Sequence, residues 1–318
     1  MLVPVTAPAP AGVPESRAAR LSVTRRLRGR LVPLLYLAPA LVFLYLWTYR
    51  PLVRTVQLSF YNWNLLPTSP MTSAGLSNYA RVLSLPELGQ AGWNTVVYIL
   101  ALLPFTVVVP TAVALLARRV RGRAKTVYQA LIFLPTLVTP IASAAVWRWL
   151  FDPRSGPVNR VIRALGGEPV NFLREPHAAI IAIIVVSGWS LLGFATLVIS
   201  AGLTGISADY PAAASLDGAS RWQTTRWITL PLLSPTVLFL VLMTTLLSVQ
   251  ITFPLIDILT QGGPDGATTN VYYLLWEYGF RNFDAGFAGA AGTVFFVCFG
   301  LLAVLFVWLS DKLSFYDN

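Results

Sequence analysis

The stretch Ala178-Ala-Ile-Ile-Ala-Ile-Ile-Val-Val-Ser-Gly-Trp-Ser-Leu-Leu-Gly-Phe-Ala-Thr-Leu-Val-Ile-Ser-Ala201 contains no Asp, Glu, Lys or Arg, and the charge-free window around it runs from 176 to 208. A helix of about 20 apolar residues is long enough to cross the hydrocarbon core of a bilayer, about 30 Å thick. Lipid offers backbone N–H and C=O groups no partners, so a segment of this kind must satisfy them internally as a helix. The alternation of apolar and polar residues that marks a membrane β-strand is missing.

Working outward, the same pattern recurs in windows 31–49, 88–117, 126–147, 227–256 and 285–310. Spans are predicted near 32–49, 95–117, 127–149, 178–201, 230–253 and 287–309. The chain therefore reads as an all-α membrane protein of about six transmembrane helices, with a membrane domain over 31–318. Composition agrees, because 56% of residues are hydrophobic and 11% charged. A soluble domain has roughly 45–50% and about 25%. One Cys (Cys298) and one His (His177) leave no disulfide framework and no transition-metal site.

The net charge of +10 does not indicate nucleic acid, because the basic residues flank apolar runs instead of forming one face. Residues 1–30 are rich in Ala, Pro and Arg and end in Arg25, Arg26, Arg28 and Arg30. They read as a disordered basic cytoplasmic tail. A cleaved leader is the competing reading, but the following apolar run leads into Arg50 without a convincing small-residue cleavage site.

Cytoplasmic loops carry excess Lys and Arg. The amino tail has six, and the loop 118–125 has Arg118, Arg119, Arg121, Arg123 and Lys125, whereas the loop 254–286 has only Arg281. Both termini are thus expected in the cytoplasm. The loop 150–177, with Arg154, Arg160, Arg163 and Arg174, falls outside on this topology and runs against the rule.

Ionisable groups inside spans mark proton or ion routes, and apart from Arg148 near the outer end of the third the spans have none. An ion gradient is disfavoured as the energy source. The chain also lacks G-x-x-x-x-G-K-[ST], so any ATP is bound by a partner. No nucleophile and base pair is available for catalysis, and Cys298 reads as a packing residue.

Between the fourth and fifth spans lies Ile206-Ser-Ala-Asp-Tyr-Pro-Ala-Ala-Ala-Ser-Leu-Asp-Gly-Ala-Ser-Arg-Trp-Gln-Thr-Thr-Arg-Trp-Ile-Thr-Leu-Pro-Leu-Leu-Ser-Pro235. A short helix is predicted from Asp209, read as its N-cap, to Gly218, and a second from Ser220 to the break at Pro231. The run Ala212, Ala213, Ala214 and Gly218 presents little side-chain bulk, which lets another protein approach the backbone. An ordinary capped surface loop has the same features.

This segment resembles the cytoplasmic "EAA" loop of permease subunits of binding-protein-dependent ABC importers. Their pattern of Glu-Ala-Ala, two residues, Asp-Gly-Ala and later Ile-x-Leu-Pro is matched by Ala213, Ala214, Asp217, Gly218, Ala219, Ile228, Leu230 and Pro231. The departure is Ala212, which stands where the pattern has Glu. Further likeness to the carbohydrate-uptake family lies in Leu37-Ala-Pro-Ala40, Tyr49-Arg-Pro51, Ser59-Phe-Tyr-Asn-Trp63, Trp93-Asn-Thr95, Phe133-Leu-Pro135, Trp147 through Gly156 with Asn159, Thr260-Gln-Gly-Gly-Pro264 and Ala267-Thr-Thr269. Phe253-Pro-Leu-Ile-Asp257 through Phe287 is similar to glycerol-3-phosphate permeases as well as disaccharide ones.

The resemblance implies a type I ABC importer permease fold, not an enzyme, in a bacterial inner membrane with lipid around it. It implies a second, related permease as partner, two ATPase subunits that hold ATP and Mg, and an extracytoplasmic solute-binding protein. The coupling loop would comprise Ala212, Ala213, Ala214, Asp217, Gly218, Ala219, Arg221, Leu230 and Pro231, with Asp217 or Arg221 compensating for the missing Glu. The solute would be a sugar or a sugar-phosphate-sized molecule, such as glycerol-3-phosphate or its diesters. A stand-alone channel or facilitator is the alternative.

For a solute path the residues offer Trp189 and Ser190 in the fourth span, beside Gly188 and Gly193, and Ser248, Gln250 and Thr252 in the fifth. An aromatic plane with neutral hydrogen-bonding groups suits a hydroxylated solute, and packing between helices uses the same groups. Residues two apart do not share a helix face, but a distortion at Pro254 would let more than one of them face a cavity. Gly286, Gly289 and Gly292 read as a packing stripe. Tyr272, Tyr273, Trp276, Tyr278 and Phe280 suit either a membrane interface or a partner outside.

Overall fold

The computed structural model describes residues 35–313 other than 119 and 121. The expected tail over 1–30 and the first residues of the expected first span lie outside the described residues. By contacts the chain divides after Val56. Helix α1 runs over 35–58 and includes one π-helical turn at Tyr45–Tyr49.

Beyond it, a two-stranded antiparallel ribbon pairs β1 (Tyr61–Asn62) with β2 (Thr72–Ser73), Tyr61 opposite Ser73. Helix α2 (Ser77–Ser84) follows, then the long α3 (Pro86–Ala117), whose Pro104 sits in a π-helical turn at Pro104–Val108. Next come α4 (Arg123–Leu137), α5 (Pro140–Leu150), α6 (Pro157–Ala164) and α7 (Pro176–Gly205). The carboxy-terminal part holds α8 (Asp209–Leu216), α9 (Arg221–Thr224), α10 (Ser234–Thr260), α11 (Val271–Trp276) and α12 (Ala285–Leu313).

Among the described residues, α3, α7, α10 and α12 are each long and apolar enough to span a bilayer, and α4 with α5 forms a fifth, bent candidate. The third expected span, 127–149, is thus not one straight helix. Its halves meet at 97°. The residue before a proline is driven out of the α region, and Thr139 before Pro140 is extended, as is Val138. Thr139 then caps α5, its hydroxyl accepting from the Ala142 amide at 3.4 Å. The fifth span also shifts, with α10 running over Ser234–Thr260 after a break near Leu233.

Helix α7 is the centre of this bundle, with half of its apolar window enclosed by protein against 11% for α12. Ala182, Ile183 and Val186 pack with Tyr98 and Leu255 in one cluster, and Ile199 and Leu203 pack with Ala114 and Leu240 in another. Close approach explains Gly188, where a Cβ would run into the Phe105 ring. The outward faces remain apolar, as lipid or a partner helix requires; Leu131, Leu197, Phe296 and Leu301 are examples.

Candidate functional site

The segment 206–233 is built by local capping rules. Helix α8 begins at Asp209, with Ala208 in the cap position, so Asp209 is a first-turn acid and not the cap. Its amide instead donates to the Ser207 hydroxyl at 3.2 Å. At the other end the Gly218 amide donates to the Ser215 carbonyl and the Ala219 amide to the Ala214 carbonyl, at 3.2 and 2.9 Å. This pair of bonds is a Schellman motif, which needs a left-handed residue after the cap, and Gly218 has φ +77°. A Cβ at Gly218 would meet nothing within 4 Å, so the position is open to the outside of the chain.

Ser220 starts α9 with a full capping box. Its amide donates to Gln223 Oε1 at 2.7 Å, and its hydroxyl accepts from the Gln223 amide at 3.3 Å. The chain continues through a π-helical turn, Thr225–Thr229, into Leu230–Leu232, where Pro231 sits.

Of the predicted coupling residues, Ala212, Ala213, Asp217, Gly218, Arg221 and Leu230 are exposed. Ala214 is buried, anchoring α8, and Ala219 and Pro231 are half-buried. Leu216 at 89% exposure and the exposed Trp222 and Trp227 add apolar surface beside them. Among the described residues neither Asp217 nor Arg221 forms an ion pair. A hollow of about 660 Å³, lined by Leu115, Arg118, Pro211, Ser215 and Trp222 among others, separates this segment from the end of α3. Arg118 donates to the Leu203 carbonyl at 3.1 Å. Arg118 and the α8–α9 segment therefore share one end of the bundle.

At the opposite end, the loop after α10 folds back into the protein. Asn94 on α3 donates to the carbonyls of Gly266, Ala267 and Thr269, the last two at 2.8 and 2.9 Å. Tyr98 donates to the Thr268 carbonyl at 2.9 Å. Asn270 donates to Thr252 Oγ1 at 2.8 Å and caps α11 through the Tyr273 amide at 2.7 Å. Nearby, Asn159 fastens its loop by accepting from the Val170 amide and donating to the Val170 carbonyl. Asp152 accepts from the Ser155 amide and hydroxyl and the Arg154 amide, and these bonds, led by those from Ser155, hold its carboxyl below the usual range.

The predicted solute-path residues do not converge. Ser248 and Thr252 are fully buried and turn inward, bonding to the carbonyls of Thr245 and Ser248. Gln250 lies on the opposite, exposed face of α10. Trp189 is half-buried with its ring edge-on to Trp147 at 5.8 Å, and Ser190 bonds back to the Val186 carbonyl. The outer aromatic tract also divides, since Tyr273 is buried and Trp276 packs on Phe253, whereas Tyr272 and Phe280 stay exposed. Residue spacing did not point to Asn94, Tyr98 or Asn270, whose bonds to the loop after α10 and to Thr252 span 18 to 175 residues.

A family model described as "binding-protein-dependent transport system inner membrane component" matches residues 114–314. The trehalose/maltose transport system permease protein of Thermococcus litoralis is 32% identical over 280 residues, 87% of this chain and 93% of that protein. The sulfoquinovosyl glycerol transport system permease protein of Agrobacterium fabrum is 30% identical over 89% of this chain and 92% of that one. A chain in the crystal structure of a bacterial ABC transporter involved in import of the acidic polysaccharide alginate superposes with a TM-score of 0.79, covering 93% of this chain and all of that chain at 22% identity.

Proposed function

The chain belongs to the inner-membrane components of binding-protein-dependent transport systems, as a sugar permease subunit of an ABC importer, and from that premise we propose how it works. It pairs with a second permease to enclose the pathway, and two ATPase subunits that hold ATP and Mg dock on the α8–α9 segment. The solute-binding protein delivers cargo to the opposite end, where the loop after α10 lies. Both termini are cytoplasmic. The solute is a sugar or a molecule of sugar-phosphate size. Disaccharides, glycerol glycosides and glycerol-3-phosphate with its diesters fall within that range, and the solutes for which the relatives are named, trehalose/maltose and sulfoquinovosyl glycerol, favour glycosides.

The observation that carries this reading is the α8–α9 pair itself. Two independently capped short helices hold small exposed residues at fixed positions, at the end of the bundle that carries the Arg-rich loop. Without the Glu of the family pattern, docking rests on shape and on the apolar Leu216 and Trp222, with Asp217 and Arg221 left for charge. Gln250 and Trp189, on exposed or half-buried faces, are the path candidates that remain free to meet solute, whereas Ser248 and Thr252 hold the helix and the outer loop in place.

The energy source tests the reading. Uptake by cells carrying the intact importer should survive collapse of ion gradients and stop on ATP depletion. The reverse pattern would favour the stand-alone facilitator or an ion-coupled carrier.

A further inference from the structure

At the end of the bundle away from α8 and α9, the end of α5, the loops following α5 and α10 and the turn before α7 border an open cavity of about 900 Å³. Arg148, Arg154 and Arg174 all line it. Among the described residues none of the three is within ion-pair distance of a carboxylate, since the ion pairs found involve Arg81 and Arg281. The acid in the same wall, Asp152, is engaged through Oδ1 by two backbone amides and a hydroxyl, and the nearby Arg154 charge also acts on it, so one carboxylate faces three guanidinium groups. Arg148 donates one Nη to the Ile258 carbonyl and carries further guanidinium donors. Asn171 and Gln261 add neutral polar groups, and Phe151, Leu173 and Leu259 add apolar wall.

Guanidinium groups bind carboxylates and phosphates through paired, charge-assisted hydrogen bonds. The cavity volume lies in the range of small-molecule sites, about 300–1,000 Å³. We infer that this cavity is an oxyanion site at the outer mouth of the pathway, receiving a carboxylate or phosphate during import. The group belongs either to an anionic solute or to an acidic side chain of the docked solute-binding protein. Placing the site on the outer side rests on the function proposed above; the binding chemistry does not.

The test uses the assembled importer, purified in an uncharged detergent without sugar groups, and titrates D-glucuronate, inorganic phosphate and D-glucose. Glucuronate and phosphate should bind saturably and compete with each other. The double variant R154Q/R174Q should weaken both by about tenfold or more, and R154K/R174K, which keeps the charge but not the paired donors, should fall between it and the original, while D-glucose is unaffected by either. Equal binding of glucose and glucuronate, or anion binding indifferent to the Gln variant, would overturn the site.

A second arm measures ATPase stimulation by the solute-binding protein. Loss in R154Q/R174Q with every solute assigns the oxyanion to the docked protein, and loss only with anionic solutes assigns it to the cargo. No loss in either case overturns a role in import. Absence of any copurifying ATPase would instead strike at the proposed function, and the titration would still read the cavity.

Discussion

The hydroxyl of Tyr98, fully buried on α3, donates to the backbone carbonyl of Thr268 at 2.9 Å across 170 residues of sequence. With Asn94 one turn earlier, it holds the loop after α10 inside the bundle. Removing a hydroxyl that satisfies a buried carbonyl leaves that acceptor unpaired, at about 1–3 kcal/mol. Tyr98→Phe should therefore lower the thermal midpoint of the purified importer without preventing membrane insertion. An unchanged midpoint would show that the loop is held by other contacts.

Asn270 has a larger share in the same anchoring. It caps α11 and reaches the Val249 carbonyl and Thr252 hydroxyl, itself fully buried. Asn270→Ala should cost about 2–4 kcal/mol, combining the lost cap with unpaired buried groups. Limited proteolysis of the 260–270 loop reads this directly, and cleavage should be faster in the variant. Asn270→Asp keeps the cap acceptor but turns a carboxylate oxygen on the Val249 carbonyl, so cleavage should be at least as fast as in the Ala variant.

Gly218 separates strain from docking. Its φ of +77° makes any side chain unfavourable by about 1 kcal/mol, a cost that Ala and Trp share. Since a Cβ there meets nothing within 4 Å, bulk does not clash inside this chain. Gly218→Ala should keep most ATPase copurification, whereas Gly218→Trp should lose it or uncouple hydrolysis from uptake. Equal behaviour of the two variants would place the sensitivity in the loop's own folding.

Ser220 offers a gentler probe. Ser220→Ala removes one half of the capping box and should destabilise α9 locally by about 1 kcal/mol. Ser220→Asp should restore it. The measurable consequence is a several-fold drop in coupled ATPase activity for the Ala variant, with recovery in the Asp variant.

The helical membrane class was legible because lipid forces one solution on a long charge-free run, as in 178–201. The starts of α8 and α9 were legible to within a residue because caps are local, with Gly218 and Ser220 in the expected roles and Asp209 one position inside, whereas the expected break at Pro231 falls instead after Leu232, beyond a π-helical turn. The bend in the third span turned on Thr139, whose extended backbone follows from Pro140, but apolar composition alone reads straight through it. Pro254 does not bring Ser248, Gln250 and Thr252 to one face, because α10 stays α-helical to Leu255 and widens only at Ile256–Thr260. The Asn94, Tyr98 and Asn270 anchors depend on long-range closure that no spacing encodes.

Ala213 gives the most direct test of the account, because it is exposed on α8 and has no bulk of its own to disturb. In a Cys298→Ala background, Ala213→Cys is probed with a membrane-impermeant thiol reagent. No reaction is expected in intact cells, reaction in inside-out vesicles stripped of ATPase, and protection once the ATPase is restored. Labelling from outside, or labelling in vesicles that the ATPase does not reduce, would contradict it.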